Sequence, residues 1–425
     1  QAIHGQAQSS PCQKQLSATW VCGKQFSKLL SSQQVQAEAD RVWCGVERCL
    51  FGNGKELHFK KLMDFDTIGG KSNKNGARFD LDAMYVNWLG LSLKCYLPKS
   101  ENSLSYVWES LKGKISYCNI KRLMFSSGWR YYAEIVVSGA APTRVSIGTS
   151  TMGIDPGVST IAGVSEDACV LEELAPNAIQ YEKKIQKISQ RMDRSRRISN
   201  PNKYNEDGTI NRSNRDPWKY SKNYVKMCRQ LKSLYRKKHA YIIDSHRELC
   251  NKLITIAKYF PVEKMHFQAL QKRAKETKRQ EKKTEVKQKD GTVKVIQKYK
   301  RKKRFGRSIN RRAPARFLLE LKRKAEAVGG VYAEVDTKEF KASQYNHVTD
   351  TYEKIPLSQR EKEIGNRKVQ RDLYSAFLIR NADLDFKHPD REKCEYEFEY
   401  FADMQDQLVL KMKESGLSMR QCFGF

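Results

Sequence analysis

The segment from Met152 to Val164 constrains the fold more than any other part of the chain. It reads Met-Gly-Ile-Asp-Pro-Gly-Val-Ser-Thr-Ile-Ala-Gly-Val, so an apolar run ends on Asp155, Pro156-Gly157 turns the chain, and β-rich residues follow. Aspartate is depleted in strands and costly inside a sheet. A carboxylate at this position needs compensation, and a divalent metal ion is the strongest candidate. The alternative is a hairpin in which Asp-Pro-Gly supplies turn chemistry alone.

Charge sets the class of partner. The 425 residues leave room for two to four compact domains, and 79 Lys and Arg against 48 Asp and Glu give a formal net charge of +31. A surplus of this size repels itself in a compact chain and implies a polyanionic partner. A membrane surface is the less suitable polyanion, because the sequence has no apolar run of membrane-spanning length, no signal peptide and no basic amphipathic segment. We therefore expect nucleic acid as the partner and no membrane.

The cysteines indicate a reducing compartment. Eleven are scattered from Cys12 to Cys422 without a Cys-x-x-Cys pair, which favours reduced thiols in a cytoplasm over disulfides or cysteine-bound metal. Gln1 stands where an initiator methionine is expected. We therefore expect the numbered chain to begin after the native start.

The first third of the chain predicts two modules. Residues 11–50 carry apolar residues at helical spacing, and residues 56–146 contain short β-rich runs between glycine turns, as in a small barrel or sandwich. Basic residues alternate with aromatic ones in the second module, which suits a nucleic-acid platform. Alternatively, most of Tyr85, Trp88 and Tyr132 belong to its core. The basic candidates are Lys71, Lys74, Arg78, Lys121, Arg122 and Arg130.

Two further basic regions follow. Residues 172–258 predict two long helices, and residues 271–316 contain 20 Lys and Arg against 4 Asp and Glu. The basic side chains of these two regions are either simply solvated or contact a nucleic-acid backbone. The candidates for backbone contact are Arg194, Arg196, Arg197, Lys302, Lys303, Arg304, Arg307, Arg311 and Arg312.

Two more acids share the context of Asp155. Glu263 ends an apolar run that predicts a strand, and Asp372 opens a predicted helix, where the first turn favours negative charge. Phosphodiester hydrolysis needs a nucleophilic water, charge neutralisation and help for the leaving oxygen, and two divalent ions about 4 Å apart supply all three. Carboxylate ligands suit Mg²⁺ or Mn²⁺.

This ordered trio resembles the split RuvC nuclease of TnpB, the RNA-guided endonuclease of insertion sequences (the OrfB family), which is related to the type V CRISPR effectors. Gly153-Ile-Asp-Pro-Gly157 matches the first motif, Val262 to Leu270 the second with Glu263 in the catalytic place, and Arg371-Asp-Leu-Tyr-Ser-Ala376 the third.

An alternative register places Gln268 in the glutamate position, which would leave the site inactive. In the third motif, Tyr374 and Ser375 replace the usual Asn and Ala. No cysteine lies at residues 343–350, where the family commonly has a zinc ribbon, so we expect no structural zinc.

The resemblance implies a multi-domain α/β protein with an RNase H-like RuvC nuclease domain, a β-rich, barrel-like wedge domain and a small helical recognition module. The expected divisions are 1–55 for the helical module, whose N-terminus is incomplete, 56–146 for the wedge, and 147–345 for RuvC motifs I and II. A linker at 346–370 stands in place of the zinc ribbon, and 371–425 carries motif III and the C-terminal helices.

The implied function is RNA-guided cleavage of target DNA by a Mg²⁺-dependent endonuclease. Asp155, Glu263 and Asp372 would be both catalytic residues and ligands of two Mg²⁺ or Mn²⁺ ions. The implied partners are a guide RNA and a double-stranded DNA target, and the implied location is a bacterial or archaeal cytoplasm, associated with the nucleoid. Two alternatives remain: a nuclease-inactive, RNA-guided DNA-binding regulator of the same family, and an RNase H-like resolvase or transposase that acts without RNA.

Overall fold

The computed structural model describes residues 31–423, apart from positions 53, 55, 59–63, 75, 207, 272–278, 288–291, 300–304 and 357. The chain divides into two compact units, one of residues 1–142 and 192–233 and the other of residues 143–191 and 234–425. The five-part division expected from the sequence is finer than this and stays a prediction.

Among the residues described before position 142, the first unit contains two helices and six strands. They are α1 (Ser32–Leu50), β1 (Thr67–Gly69), β2 (Arg78–Asp80), β3 (Tyr85–Trp88), β4 (Leu91–Lys94), α2 (Glu101–Leu111), β5 (Ile115–Phe125) and β6 (Gly128–Val137). Ser31 begins α1 through a capping box with Gln34. The helix lies within the predicted helical region of residues 11–50, of which residues 11–30 are outside the described residues.

The strands of this unit form two separate antiparallel sheets, β1-β5-β6 and β2-β3-β4. Among the described residues they do not close into a barrel, which was one of the two expected forms. Strands β1 to β4 are only three or four residues long, whereas the β5–β6 hairpin has strands of eleven and ten residues. Phe79, Val86 and Cys118 bring the two sheets into one small core.

In the part of the second unit that the structure describes, there are twelve strands. They are β7 (Ser150–Thr151), β8 (Gly153–Pro156), β9 (Thr160–Val164), β10 (Cys169–Glu173), β11 (Ala257–Glu263), β12 (Arg279–Lys287), β13 (Val293–Tyr299), β14 (Val331–Val335), β15 (Tyr345–Asn346), β16 (Thr351–Tyr352), β17 (Glu361–Ile364) and β18 (Arg367–Gln370).

The remaining helices are α3 (Ala178–Ser199), α4 (Lys222–Ile256), α5 (Phe267–Gln271), α6 (Gly306–Arg312), α7 (Pro314–Ala327), α8 (Thr337–Phe340), α9 (Arg371–Arg380), α10 (Arg391–Glu414) and α11 (Met419–Phe423). The end of α3 and the start of α4 fall in the first unit. Among the described residues, no helix combines the length and the apolar character needed to cross a bilayer. Eight of the described cysteines are free thiols.

The main sheet of the second unit has the strand order β10-β9-β8-β11-β14, and β7 also pairs with β11. Strands β8, β9 and β10 are antiparallel neighbours, whereas the β8–β11 and β11–β14 pairs are parallel. Parallel pairs need crossover connections. The helices α3 and α4 lie between β10 and β11, and α7 lies between β11 and β14.

Apolar side chains cover both faces of this sheet. On one face, Ile154 and Val262 pack with Leu253 of α4 and Phe317 of α7. On the other face, residues of β9 and β10 pack with α9 and α10, whose aromatic pair Phe377–Phe401 stacks at 4.5 Å between ring centroids. A sheet covered on both faces is the usual α/β arrangement.

Residues 346–370, expected to be a linker, are packed into the second unit. Strands β17 and β18 form an antiparallel hairpin, and Ile364 and Val369 are fully buried in the same core as α9. Lys362 is also buried, and its Nζ donates a hydrogen bond of 2.6 Å to the carbonyl oxygen of Tyr345. This segment is therefore a structural part of the sheet unit.

Candidate metal centre and nucleic-acid surfaces

Strand β8 presents Asp155 to one particular face of the sheet. Side chains alternate along a strand, and Met152 and Ile154 are buried against α4 and α7 on one face. Gly153 and Asp155 therefore face the other way, toward α9. At Gly153 the backbone of α9 comes so close that a Cβ atom would lie 2.2 Å from the carbonyl oxygen of Ala376.

Strand β11 brings Glu263 beside Asp155. Val262 pairs with Ile154 in the parallel register, and both are buried on the same face. Glu263, the next residue, therefore shares the opposite face with Asp155, and a side-chain hydrogen bond joins the two carboxyl groups. Gln268 lies exposed in α5, beyond the end of the strand, so the alternative register does not bring its side chain to this position.

Helix α9 supplies Asp372. The side chain of Gln370 caps the helix by accepting a hydrogen bond of 2.6 Å from the amide of Leu373. Asp372 lies one turn before Ala376, on the side of the helix that meets β8. Its Oδ1 accepts from Nη2 of Arg371 at 3.1 Å, and its Oδ2 accepts from Nη1 of Arg360 at 3.4 Å.

The three carboxyl groups repel one another electrostatically. Burial raises the pKa of Asp155 well above its usual value, and the charges of Glu263 and Asp372 raise it further, against the opposing effect of Arg371. Burial also raises the pKa of Glu263, with Asp372 adding to the rise. Acids with raised pKa values gathered at one place are typical of functional sites, although structural ion-pair networks perturb pKa values too.

The donor set fits a hard divalent cation only in part. Carboxylate oxygens are the ligands that Mg²⁺ and Mn²⁺ prefer, and a cation beside Asp155 and Glu263 would relieve the repulsion that raises their pKa values. Within the described residues, however, no group of three His, Cys, Asp or Glu side chains is already arranged to hold a metal. Asp372 instead pairs with Arg360 and Arg371, so full coordination requires those pairs to loosen.

Arg360 is a residue of this centre that the sequence did not indicate. It lies twelve positions before Asp372 in a polar segment without a recognisable motif, and its guanidinium is under the electrostatic influence of both Asp372 and Asp155. Its Nε atom is buried without a hydrogen-bond partner among the described residues. Tyr374, at the unusual position of the third motif, lies outside the centre, because its hydroxyl pairs with His347 Nδ1 at 2.8 Å in the core.

The predicted nucleic-acid contacts of the first unit differ in exposure. Lys71 pairs with Asp40 at 2.6 Å, and Lys121 pairs with Glu134 at 3.5 Å. Arg122 is half-buried over the ring of Trp129 at 4.4 Å. Arg196 pairs with Asp193 and is also half-buried. The exposed residues are Lys71, Lys74, Arg78, Arg130, Arg194 and Arg197, of which Arg197 also pairs with Asp193 at 2.8 Å.

In the second unit the predicted contacts divide in the same way. Arg307 has a side chain that is 79% exposed. Arg311 pairs with Glu182 at 2.7 Å, and Arg312 is buried and pairs with Glu173. The burial of Arg311 and Arg312 removes them from a surface that a backbone would contact. Lys302, Lys303 and Arg304 lie outside the described residues.

The aromatic residues of the first unit divide between its core and its surface. Tyr132, expected in the core as one alternative, is 43% exposed, whereas Trp88 packs against the core of the first unit. Tyr220, which the sequence did not single out, is 50% exposed. Alternation along a strand decides which side chains are exposed only when the strand's neighbours are known, and β6 is an edge strand.

No family model matches this chain, and no curated protein matches its sequence. Among solved structures, the chain is similar to a Cas12f1–sgRNA–target DNA complex, with a TM-score of 0.47 and 11% identity over 89% of this chain and 77% of that one. It is also similar to a CRISPR-Cas12f ternary complex, with a TM-score of 0.31 and 13% identity over 88% and 73% of the two chains. With TM-scores below 0.5, neither likeness establishes a shared fold.

Proposed function

We propose that this protein is an RNA-guided DNA endonuclease with an RNase H-like RuvC nuclease domain. The observation that carries the proposal is that Asp155 and Glu263 share one face of the sheet, where burial and the charge of Asp372 raise the pKa of both. A sheet of three antiparallel strands continued by two parallel ones supports the RNase H-like assignment. The net charge of +31 supports nucleic acid as the partner.

The three carboxylates would hold divalent ions, Mg²⁺ or Mn²⁺. Such ions would supply an activated water and neutralise charge on the phosphate. Glu263 and Asp372 both raise the pKa of Asp155, so a cation held by these carboxylates would relieve the repulsion on Asp155. Arg360 keeps positive charge beside the cluster, where the phosphodiester would enter.

The exposed basic residues would contact the backbones of guide RNA and target DNA. Such contacts position a nucleic acid without reading its sequence, so base pairing with the guide would supply specificity. The proposed contacts are the residues with exposed side chains, although Lys71 pairs with Asp40, Arg197 with Asp193 and Arg307 with Glu182. They are Lys71, Lys74, Arg78, Arg130, Arg194, Arg197 and Arg307, together with the predicted Lys302, Lys303 and Arg304.

One observation favours a rival, the nuclease-inactive RNA-guided DNA-binding regulator. Asp372 is held by Arg360 and Arg371 at 3.4 and 3.1 Å, and a carboxylate that keeps these partners is not a metal ligand. The rival shares every nucleic-acid contact and differs only in cleavage.

The test starts from the nucleic acid that copurifies with the protein. Sequencing it identifies the guide, and the reconstituted complex is then assayed for binding and Mg²⁺-dependent cutting of matched DNA. We expect Asp155→Ala to abolish cutting while guided binding persists, and Glu414→Ala, a change of an exposed acid at the end of α10, to leave both intact. Cutting by D155A at the wild-type rate would refute the site. Guided binding without any cutting by the wild type would establish the regulator, and absence of copurified RNA would favour the resolvase or transposase.

A further inference from the structure

We propose that the connection between α3 and α4, residues 200–221, is a binding surface for single-stranded nucleic acid, with Tyr220 as the side chain on which a base stacks. The connection belongs wholly to the first unit, whereas the three acids belong to the second. The proposed surface is therefore distinct from the candidate metal centre.

The connection is held in one shape by side-chain hydrogen bonds. Asn200 is 6% exposed, and its Nδ2 donates to the carbonyl oxygens of Arg196 and Lys219, both at 2.8 Å. Its Oδ1 accepts from the amide of Lys219 at 2.7 Å. The hydroxyls of Ser195 and Ser221 meet at 3.1 Å. These bonds close the loop at its base, which fixes the position of Tyr220 between Lys219 and Ser221.

Cations and rings pack together inside the loop. Trp218 contacts Tyr204 edge to face at 6.0 Å, and its ring carries Arg196 and Lys203, each at 5.4 Å. Lys203 is 5% exposed and donates through Nζ to the carbonyl oxygen of Asn214 at 2.8 Å. Cation–π contacts of this kind stabilise the loop. They leave Tyr220 as the exposed aromatic residue of the segment.

Tyr220 presents a flat face to solvent. Its ring stacks on Tyr224 with centroids 4.6 Å apart and planes 22° apart, and its side chain is nevertheless 50% exposed. One face is therefore covered by Tyr224, and the other is accessible. Unpaired bases stack on such rings, and each stack contributes about 1–3 kcal/mol without sequence preference. A base inside a duplex is already stacked and paired, so the geometry selects single strands.

The charge around Tyr220 suits a phosphate backbone. Residues 192–233 contain eleven Lys and Arg against four Asp and Glu. Among the described residues, the exposed side chains of Arg212, Arg215 and Lys219 form no ion pair. Basic side chains beside a stacking ring are the combination found in single-strand binding grooves. A docked protein would need an acidic surface to match this charge, and it would not need the ring.

Tyr220 is tested by binding of fluorescent oligonucleotides of about 12 nucleotides, within the usual site size, to protein freed of nucleic acid. Tyr220→Ala should weaken binding about 5- to 150-fold, as expected when one stacked base is removed, whereas Tyr220→Trp should retain it. The matched control is Tyr396→Ala, which removes a 90% exposed tyrosine from the acidic helix α10. It should leave affinity unchanged.

The charge is tested by the salt dependence of the same binding. The double variant Arg212→Gln/Arg215→Gln should reduce the slope of log K against log salt by about 0.7 for each phosphate that is no longer neutralised. Lys393→Gln/Lys411→Gln removes the same charge from exposed positions of α10 and should leave the slope unchanged. Equal slopes for the two double variants would overturn the proposal.

Parallel RNA and DNA oligonucleotides identify the source of the strand. Preference for RNA assigns the surface to the guide, and preference for DNA assigns it to a displaced strand. The proposal would be overturned if Y220A bound the RNA and DNA oligonucleotides as tightly as the wild type does. It would also be overturned if polyglutamate displaced the oligonucleotides equally well from the wild type and from Y220A. The inference rests on the proposed function only for the identity of the bound strand, which is either the guide RNA or a displaced DNA strand. Because no cutting is measured, failure of the nuclease assay and failure of this test are distinguishable.

Discussion

A Cβ atom added to Gly153 would lie 2.2 Å from the carbonyl oxygen of Ala376 and 2.3 Å from the backbone nitrogen of Arg380. Strand β8 and helix α9 are thus in direct backbone contact. Asp155 lies two residues after Gly153, and Asp372 lies one helical turn before Ala376. This contact brings Asp372 near enough to raise the pKa of Asp155, although 217 positions separate the two in the chain.

Gly153→Ala tests this contact. No flexible side chain can yield at that point, so α9 must shift, and overpacking of this kind costs about 3 kcal/mol or more in unfolding free energy. The control is Gly306→Ala at the start of α6, where the nearest atom to an added Cβ is 4.0 Å away; it should change stability by less than about 0.5 kcal/mol. Urea unfolding of both variants measures the difference, and equal stability would show that β8 and α9 are not in backbone contact.

Asp155→Asn should stabilise the metal-free protein at neutral pH. The folded-state pKa of Asp155 is raised by burial, Glu263 and Asp372. The folded state therefore holds a proton that the unfolded chain releases, and stability falls as pH rises from the usual aspartate pKa through the raised one. Removing the charge should gain on the order of 1–3 kcal/mol, because the amide still donates to Glu263.

The same variant should lose its response to metal. Mg²⁺ should raise the melting temperature of the wild type relative to EDTA, but not that of D155N. Asp216→Asn, a change of an exposed acid in the first unit, should behave as wild type in both comparisons. A metal-free D155N protein less stable than wild type would contradict the electrostatic account of the three acids.

Arg360→Gln should strengthen binding of Mn²⁺ measured by electron paramagnetic resonance. Its guanidinium lies near Asp155 and pairs with Asp372 at 3.4 Å. It therefore repels an incoming cation and competes with that cation for the Asp372 carboxylate. Removal of one charge at this range is worth about 1 kcal/mol, or a ~5-fold rise in affinity. Lys354→Gln removes the same charge from an exposed position of the neighbouring segment and should have little effect. Unchanged Mn²⁺ affinity in R360Q would show that Arg360 does not compete with the metal.

Lys362 should make stability rise in alkaline solution. Burial lowers its pKa from 10.5 to about 8. Between these values the unfolded chain binds a proton that the folded chain has released, so unfolding free energy increases with pH, by about 2 kcal/mol between pH 8 and 10. Lys362→Met should lack this increment, while Lys368→Met, at an exposed position of β18, should keep it. Parallel pH profiles for wild type and K362M would refute a neutral Lys362.

The sequence predicted the regular elements where periodicity extends over many residues. The two long helices expected within residues 172–258 are α3 and α4. Glu263 ends a strand and Asp372 opens a helix, as expected. Each of these follows from local rules, since helix caps and side-chain periodicity depend on a few neighbouring residues.

Short strands and long-range pairings were not predictable in the same way. Strands β16 to β18 contain two to four residues each, too few for a periodic pattern, so residues 346–370 were expected as a linker. The burial of Arg311 and Arg312 depends on Glu182 and Glu173, more than a hundred residues earlier in the chain. Charge density alone does not separate such internal pairs from an exposed basic face.

The sequence by itself indicated Asp155, Glu263 and Asp372 as candidate site residues, because a carboxylate at the end of an apolar element is costly unless something compensates its charge. Only the tertiary structure decided that Asp372 is shared with Arg360 and that Tyr220 presents one open face. Both depend on how segments distant in the chain pack together, and packing is set by backbone register and side-chain volume, which no local pattern of residues records.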